Sequence, residues 1–319
     1  MSLKILLLGK TGQVGADLTI LLPRLGTVVA LDRQQLDLCD PDQIRRTLLE
    51  VRPHIVINAA AYTAVDQAEK DEATAFAINA KAPAVMAEAA KGINAALVHY
   101  STDYVFDGLK RAPYEEQDSP NPINVYGRTK RAGELAIQES GVPYLIFRCA
   151  WIYATRGRNF LLTILRLATQ REELRVVCDQ TGASTWSREI AEATTQVLGQ
   201  LSRSPQIRPA IEDVKGIYHM TAAGETTWFD FAQAILEESA CLQPATPWYA
   251  AITGGRPLLA SRVVPITTAD YPTPARRPQY SVLSNARLEQ AFGFKLPEWR
   301  TQLQRAFRAN HLTASDPRD

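Results

Sequence analysis

The residues best suited to chemistry are a tyrosine and a lysine, Tyr126 and Lys130, four positions apart in VYGRTKRAGELAIQE. This segment favours a helix, so both side chains should rise from one helix face. A free tyrosine titrates near pH ~10, and an adjacent ammonium favours the phenolate. We therefore expect Lys130 to lower the pKa of Tyr126 and make it an acid near neutral pH. Thr102 ends a predicted strand, ALVHYST, and should place its hydroxyl beside the phenol.

Such a pair is also common on helices as an exposed lysine beside a half-buried tyrosine, so it needs a cofactor site elsewhere. The apolar run KILLL, residues 4–8, is typical of a central parallel strand. It passes into a G-x-x-G-x-x-G loop and then a helical pattern. Glycines there allow a tight turn and close approach of a pyrophosphate, which the helix N-terminus favours. The predicted cofactor-binding residues of this loop are Gly9, Gly12, Gln13, Val14 and Gly15.

The end of the second predicted strand, TVVALDR, bears on the choice of cofactor. Asp32 lies about twenty residues beyond the glycines, where an acid holds the adenosine ribose hydroxyls and favours NADH. Arg33 could instead meet a 2′-phosphate and favour NADPH, so both cofactors remain open. Asp37, followed by Leu38, is placed either to reach the adenine amine or to cap the helix predicted for residues 41–50.

Three more predicted strands, residues 53–58, 95–100 and 142–149, alternate with helical segments, one of them the alanine-rich stretch 68–91. This alternation predicts an α/β fold, a doubly wound parallel sheet of the Rossmann type. Ligands bind at the carboxyl edge of such sheets. The residues predicted there are Ala61, Tyr62, Thr63 and Tyr100 for the cofactor, and Thr102 and Asp103 for the substrate.

The pattern changes after Ala150, which divides the chain into a dinucleotide-binding domain, 1–150, and a substrate-binding lobe, 151–319. We expect the second part to be a smaller α+β lobe interleaved with the sheet, with a strand near 174–180 that returns to it. Its helices are predicted near residues 188–198, 227–239 and 285–292. A proline-rich passage, YPTPARRP, should present Arg277 to phosphates, because arginine forks suit them. Arg276 is nearly as well explained as a solvated loop residue. The last residues, TASDPRD, are predicted to form a frayed tail.

Composition excludes several classes of function. At a net charge of +1, the 319 residues give no electrostatic case for binding nucleic acid or an anionic membrane. No apolar run is long enough to span a bilayer, and the first residues are too short for a signal peptide. The four cysteines and four histidines show no metal-ligand spacing, so we expect no metal. These features favour a cytoplasmic protein.

Seven segments together resemble the extended short-chain dehydrogenase/reductase superfamily. They are GKTGQVG, NAAAYTAVDQAE, HYSTDYVFDG, NVYGRTKRAGE, FRCAWIYA, DQTGA and YPTPARRP, and they run through nearly the whole chain. Within the superfamily, the chain resembles reductases that convert dTDP-4-dehydro-L-rhamnose to dTDP-L-rhamnose for cell-surface polysaccharides. The resemblance implies a nucleotide-sugar substrate and NADPH or NADH, and it is compatible with a homodimer.

The resemblance also implies roles for individual residues. Tyr126 would donate a proton, Lys130 would bind the nicotinamide ribose, and Thr102 and Asp103 would contact the sugar. The ring of Trp151 would lie against the deoxysugar. Two positions depart from the family pattern: Tyr62 stands where a histidine is often found, and Arg33 follows the acidic residue.

Two alternatives remain open at this point. One is a nucleotide-sugar epimerase or 4,6-dehydratase of the same superfamily, which recycles its hydride and commonly needs an acidic pair after the fourth strand. Thr102 and Asp103 supply only one carboxylate there. The other is a non-catalytic regulatory subunit that binds a dinucleotide, against which the intact Thr102, Tyr126 and Lys130 weigh.

Overall fold

The computed structural model describes residues 3–204, 206–241 and 246–309. The predicted tail, 313–319, lies outside these ranges. The strands are β1 (Leu3–Leu8), β2 (Gly26–Leu31), β3 (Ile55–Asn58), β4 (Ala96–Thr102), β5 (Tyr144–Cys149), β6 (Ile152–Tyr153), β7 (Glu173–Val177), β8 (Thr181–Gly182), β9 (Thr185–Trp186), β10 (Gly216–His219), β11 (Thr226–Thr227) and β12 (Arg262–Ile266).

The α-helices alternate with these strands in the sequence. They are α1 (Gln13–Leu21), α2 (Pro41–Val51), α3 (Val65–Ala68), α4 (Glu72–Phe76), α5 (Ala82–Gly92), α6 (Val125–Ser140), α7 (Phe160–Ala168), α8 (Ser187–Leu201), α9 (Ile207–Asp213), α10 (Trp228–Ala240), α11 (Pro247–Thr253), α12 (Ala286–Phe292) and α13 (Trp299–Arg308). Short 3₁₀ turns occupy Leu22–Arg24, Asp103–Val105 and Thr268–Asp270.

Six of the described strands form one parallel sheet in the order β10-β5-β4-β3-β1-β2. The inner strands are buried over almost their whole length because helices cover both faces. One face packs on a core that includes Leu18 of α1 and Val197 of α8. The other packs on Ile44 of α2, Met86 of α5 and Ile137 of α6. The strand order reverses between β1 and β3, the place where doubly wound sheets bind ligands.

The predicted strand near 174–180 exists, but its predicted return to the main sheet is wrong. As β7, it pairs in parallel with β12 in a separate two-stranded sheet. Buried and exposed residues alternate along β7, so only one of its faces is covered. The sixth strand of the main sheet is β10, which is buried at every position and pairs with β5.

The second half of the chain builds a core of its own around Phe231, with Leu165 of α7 and Phe307 of α13 among its members. The second half of the chain also contacts α1, the first helix that packs on the main sheet. Asp17 of α1 pairs with Arg156 at 2.8 Å and accepts a hydrogen bond from Ser187 at 2.7 Å. The two predicted parts are therefore interlocked at α1.

The alanine-rich stretch predicted as one helix over 68–91 is interrupted. A π-helical turn, Ala77–Lys81, lies between α4 and α5. Helix α6 approaches this turn so closely that a Cβ on Gly133 would lie 2.2 Å from the carbonyl oxygen of Asn79. The turn thereby brings Asn79, which is fully buried, against the loop that follows β3.

Candidate active site

A cleft of about 730 Å³ opens at the carboxyl edge of the sheet, over the strand-order reversal. This volume lies in the usual range for small-molecule sites. The cleft brings together most of the residues predicted from the sequence: Gly9, Gly12, Gln13, Val14, Asp32, Arg33, Asp37, Leu38, Ala61, Tyr62, Thr63, Tyr100, Tyr126 and Lys130.

The glycine loop is shaped by close backbone contacts. Gly9 has a φ of +86°, and a Cβ there would lie 2.9 Å from the amide nitrogen of Ala60. Gly15 lies beneath the loop rather than in the cleft, where a Cβ would meet the Gly9 carbonyl oxygen at 2.0 Å. Gly12 is the N-cap of α1 and has no side chain to cap it. The first amides of α1 therefore face the cleft as donors for an anion.

At the end of β2, Asp32 already has several partners. Its Oδ1 accepts from the amides of Gln34 and Gln35, and its Oδ2 lies 3.2 Å from the Lys10 ammonium. Partial burial opposes ionisation, but these bonds together hold the pKa of Asp32 below its usual range. Arg33 lines the same part of the cleft with an exposed side chain. Lys10 was not predicted as a site residue, although it lies inside the glycine motif.

Asp37 lines the cleft, but the alternative role as cap of α2 is wrong. The α2 cap is Asp40, whose carboxylate accepts from the amides of Asp42 and Gln43. Asp37 instead accepts from the amide of Cys39 at 2.9 Å and so closes the preceding turn.

The loop after β3 is held by the buried Asn79. Its carboxamide accepts from the Tyr62 amide at 2.9 Å and donates to the Tyr62 carbonyl at 3.0 Å. It also donates to the Thr129 hydroxyl of α6 at 3.1 Å. Asn79 thus fixes the backbone wall of the cleft relative to the helix that carries Tyr126.

Tyr126 lies in the first turn of α6, which begins where the Asn124 side chain accepts from the Gly127 amide at 2.8 Å. The ring is half-buried and meets Tyr104 edge-on, with ring centroids 5.7 Å apart. The predicted lowering of the Tyr126 pKa by Lys130 is wrong. Burial raises this pKa, the Thr102 hydroxyl lowers it, and the charge of Asp103 raises it further. Tyr126 is therefore a neutral phenol over the physiological range.

Lys130 is 2% exposed and directs its ammonium to the sheet. Its Nζ donates to the Tyr100 carbonyl at 2.6 Å and lies 3.1 Å from Nε2 of His99. Burial lowers the Lys130 pKa to about 8, against the charge of Glu134, which raises it. This geometry is the physical reason that Lys130 does not act on the phenol as predicted.

Thr102 and Asp103 are buried beside the cleft rather than lining it. The Thr102 hydroxyl accepts from the Tyr104 amide and donates to Asp103 Oδ1, both at 3.1 Å. Burial raises the pKa of Asp103 to about 7, although hydrogen bonds with Ser281 and Thr102 lower it. Within the described part of the chain, Asp103 Oδ2 has no hydrogen-bond partner.

Trp151 stands outside the cleft, in the left-handed region with a φ of 44°. Its ring stacks on Trp228, with centroids 3.6 Å apart and an interplanar angle of 4°. It also covers Gly182, where a Cβ would lie 2.4 Å from the indole. Trp228, which the sequence did not single out, therefore sets the orientation of the Trp151 ring.

The prediction that Arg277 presents a free fork to a phosphate is wrong. Both guanidinium nitrogens bind the Asp66 carboxylate, at 2.6 and 2.7 Å, and Nη1 also donates to the Ala275 carbonyl and the Thr273 hydroxyl. Asp66 accepts from the Ala275 amide as well. Arg277 ties the proline-rich loop to α3, while Arg276 is exposed, as the competing interpretation had it.

Three basic residues of the cleft were not predicted as site residues: Lys10, Arg156 and Arg158. The last two belong to the basic, glycine-containing turn ATRGRNF. Arg156 is held by Asp17 and by the Gln13 carbonyl at 2.7 Å, whereas Arg158 is exposed. The density of positive charge in this turn was the signal that could have placed it at an anion site.

The arrangement joins the uncapped start of α1, the acidic and basic end of β2 and a neutral phenol in one cleft, together with a buried lysine. Such a site can hold a dinucleotide and deliver a proton to a neighbouring oxygen. Across residues 3–204, 206–241 and 246–309, no group of three His, Cys, Asp or Glu side chains is arranged for a metal. Over the same ranges, no helix combines the length and apolarity needed to cross a bilayer.

Comparison with known proteins extends this picture. Residues 3–311 match the family described as RmlD substrate binding domain. The chain is 48% identical over 298 residues to a dTDP-4-dehydrorhamnose reductase of Burkholderia thailandensis, covering 93% of this chain and 96% of that protein. It is 42% identical over 307 residues to the Escherichia coli K12 enzyme of the same name, covering 95% and 96%.

Solved structures agree with the sequence comparisons. A dTDP-4-dehydrorhamnose reductase of Bacillus anthracis in complex with NADP superposes with a TM-score of 0.83 at 33% identity, covering 97% of this chain and 99% of that one. A UDP-glucose 4-epimerase of Thermus thermophilus in complex with NAD shares the fold, with a TM-score of 0.71 at 20% identity, covering 96% and 99%. The predicted doubly wound parallel fold is confirmed.

Proposed function

Because this chain belongs to the dTDP-4-dehydrorhamnose reductase family, we propose that it reduces the C4 ketone of dTDP-4-dehydro-L-rhamnose to give dTDP-L-rhamnose, using NADPH or NADH. The membership confirms the resemblance to the extended short-chain dehydrogenase/reductase superfamily. The observation that carries the proposal is that the glycine loop, Tyr126 and Lys130 all line one cleft.

The fit of a dinucleotide rests on the glycine cradle. A side chain at Gly9 would collide with Ala60, and one at Gly15 with the loop itself, so the backbone is held open only by glycine. The uncapped start of α1 at Gly12 would hold the pyrophosphate, and Asp32 with Arg33 would face the adenosine ribose. When bound, the reduced nicotinamide supplies the hydride that the ketone carbon receives.

The proton comes from Tyr126 in this proposal. Burial keeps the phenol protonated, so its hydroxyl is a donor throughout the working pH range. Thr102 orients that hydroxyl, and Lys130, whose pKa is about 8, binds the nicotinamide ribose when charged. Reduction should therefore weaken as pH rises through about 8, because Lys130 then loses its proton.

The sugar side of the site is assigned to Asp103 and Trp151. Oδ2 of Asp103 is buried next to the Thr102 hydroxyl and has no hydrogen-bond partner among the described residues. Because burial raises the pKa of Asp103 to about 7, this oxygen donates to a sugar hydroxyl when the carboxyl is protonated and accepts from it when ionised. The ring of Trp151 lies between Trp228 and Gly182, and its assignment to the deoxysugar rests on the sequence resemblance. Arg277 contributes by fixing the loop through Asp66 rather than by binding phosphate directly.

A Tyr126→Phe substitution tests the proposal. Turnover should fall about 10²–10⁴-fold because the general acid is lost, while NADPH binding persists. The assay follows NADPH absorbance with dTDP-4-dehydro-L-rhamnose, and calorimetry follows cofactor binding. Tyr271→Phe is the matched control, since Tyr271 is 61% exposed and outside the cleft. Nearly full turnover in the Tyr126 variant would remove this residue from its role.

Two further predictions come from the sequence. These are assembly as a homodimer and a cytoplasmic location. Sedimentation velocity of the purified protein and fractionation of the source cells test them separately.

A further inference from the structure

A row of buried polar groups connects Lys130 to the wall of the cleft. Asn58 ends β3, and His99 lies directly opposite it in the parallel register of β4. Nδ1 of His99 lies 3.1 Å from the Asn58 amide nitrogen, and Nε2 lies 3.1 Å from Nζ of Lys130. At the far end, the Ala60 amide donates to Asn58 Oδ1 at 3.1 Å. All three side chains are at most 2% exposed.

The direction of these hydrogen bonds is set from the Ala60 end. A backbone N–H can only donate, so it turns the oxygen of Asn58 towards itself and the NH₂ group towards His99. A neutral imidazole has one donor and one acceptor nitrogen. If Nδ1 accepts from Asn58, the ring proton is on Nε2 and points at Lys130. That arrangement is satisfied only when Lys130 is an uncharged amine that accepts it.

A charged Lys130 requires the opposite direction. The ammonium has three donors and no acceptor, so Nε2 of His99 must accept and Nδ1 must carry the proton. Nδ1–H then needs the oxygen of Asn58, which the side chain supplies by turning over. The Ala60 amide, which lines the cleft, loses its partner in that state.

We propose that Asn58 and His99 are positioning residues that couple the proton on Lys130 to the backbone at Ala60. Charged Lys130 goes with the Nδ1–H tautomer of His99 and a released Ala60 amide. Neutral Lys130 goes with the Nε2–H tautomer and a bonded Ala60 amide. The importance of this coupling for reduction rests on the proposed function, because Lys130 is assigned there to the nicotinamide ribose. The coupling itself is independent of that function.

The surrounding charges are consistent with a change of tautomer rather than of ring charge. Burial, and then the charge of Lys130, lower the pKa of His99 well below its usual value, so the ring stays neutral. Lys130 is faced by the Tyr100 carbonyl, and Glu134 and Cys149 both raise its pKa against the effect of burial. Glu134 is itself bound by Arg148 at 2.8 Å and Arg131 at 2.9 Å.

The test is a ¹⁵N NMR titration of protein labelled at both histidine and lysine, without added cofactor, followed about two pH units to either side of the Lys130 pKa. The His99 ring should pass from Nδ1–H to Nε2–H with the midpoint at which the Lys130 Nζ resonance titrates. His54 is the internal control, because its Nδ1 accepts from the Lys4 amide at 2.8 Å and should remain the acceptor whenever this ring is neutral. A His99 tautomer that stays unchanged while Lys130 titrates overturns the proposal.

An Asn58→Asp variant gives a second, independent readout. A carboxylate accepts from Ala60 and from Nδ1–H of His99 together, so His99 should keep the Nδ1–H tautomer at every pH. Lys130 should bind its proton about tenfold more tightly or better. A raised Lys130 midpoint with the His99 tautomer still switching would mean that only the added charge acts, and would contradict the coupling. The wild-type titration stands whether or not this variant folds, and neither outcome depends on turnover.

Discussion

Asp103, which we propose contacts the sugar, is also a buried carboxyl that affects stability. It is 2% exposed, and burial raises its pKa from 3.8 to about 7. The protonated form is therefore favoured in the folded protein. This contribution to stability is complete below the ordinary carboxyl pKa and is lost as the pH rises through about 7.

We expect Asp103→Asn to increase the free energy of unfolding above pH 7 by roughly 2–4 kcal/mol, because the buried charge is removed. Between the ordinary carboxyl pKa of 3.8 and the folded-state pKa of about 7, the free energy of unfolding of the variant should fall less steeply with rising pH than that of the wild type. Urea unfolding at several pH values measures both effects. Asp107→Asn should instead decrease the free energy of unfolding at neutral pH, because hydrogen bonds from Leu109, Asn121 and Tyr114 lower the pKa of Asp107 despite its burial. A uniform loss of stability in the Asp103 variant would show that this carboxylate is needed structurally.

Arg33 provides a test of cofactor recognition at the level of one side chain. Asp32 is already bound by Lys10 and two backbone amides, while Arg33 is exposed in the same part of the cleft. We expect Arg33→Ala to reduce kcat/KM for NADPH about tenfold, the loss of one charge-assisted hydrogen bond to the 2′-phosphate. The value for NADH should change little. Arg46→Ala, on the exposed surface of α2, is the control. An equal loss of kcat/KM with both cofactors would show that Arg33 does not contact the 2′-phosphate.

At the scale of elements, the contact between the glycine loop and α1 is the tightest feature of the site. A Cβ at Gly15 would lie 2.0 Å from the Gly9 carbonyl oxygen, with no flexible side chain to give way. We expect Gly15→Ala to reduce stability by about 1–3 kcal/mol and to weaken dinucleotide binding strongly, as measured by calorimetry. Gly92→Ala is the matched control, since a Cβ there meets nothing within 4 Å. Unchanged dinucleotide binding in the Gly15 variant would contradict the assigned role of the loop.

The strand–loop–helix unit at the start of the chain could be predicted because all of its signals are local. KILLL, the glycine spacing and the Asp32 position lie within about thirty residues. The fate of Arg277 could not be predicted, because its partner, Asp66, is 211 residues away in the sequence. The same applies to Trp228, which meets Trp151 only through the tertiary fold.

Element type was easier to predict than element destination. A strand was expected near Arg175, but no sequence pattern states that it pairs with β12 rather than β5. Strand β10 has only four residues, too few for a periodicity signal. The π-turn at Ala77–Lys81 lies against Gly133 of α6, a tertiary contact that no local pattern reveals. The pKa of Tyr126 could not be predicted for a similar reason: the sequence does not show that Lys130 directs its ammonium to His99 and Tyr100.

At the scale of the whole molecule, the two predicted parts do not separate cleanly at Ala150. The sixth strand of the main sheet, β10, comes from the second part, and α8 packs on α1 in the same core. Asp17 adds an ion pair and a hydrogen bond across this boundary. The cleft is likewise shared, since Arg156 and Arg158 come from beyond the boundary.

A fragment of residues 1–150 should therefore fail to fold cooperatively, because removing α8 and β10 exposes the apolar face beneath α1. Thermal unfolding followed by near-UV circular dichroism, with the full chain as reference, measures this. A sharp transition of the fragment alone would show that the first 150 residues form an independent domain.

The most direct test of the account follows the hydride itself. The purified protein is given dTDP-4-dehydro-L-rhamnose and NADPH carrying deuterium at the transferable C4 position, and the product is examined by NMR. We expect one deuterium at C4 of the rhamnosyl ring for each NADPH oxidised. A product without deuterium and with no net NADPH consumption would indicate an enzyme that recycles its cofactor, or no catalyst at all, and would contradict the reductase assignment.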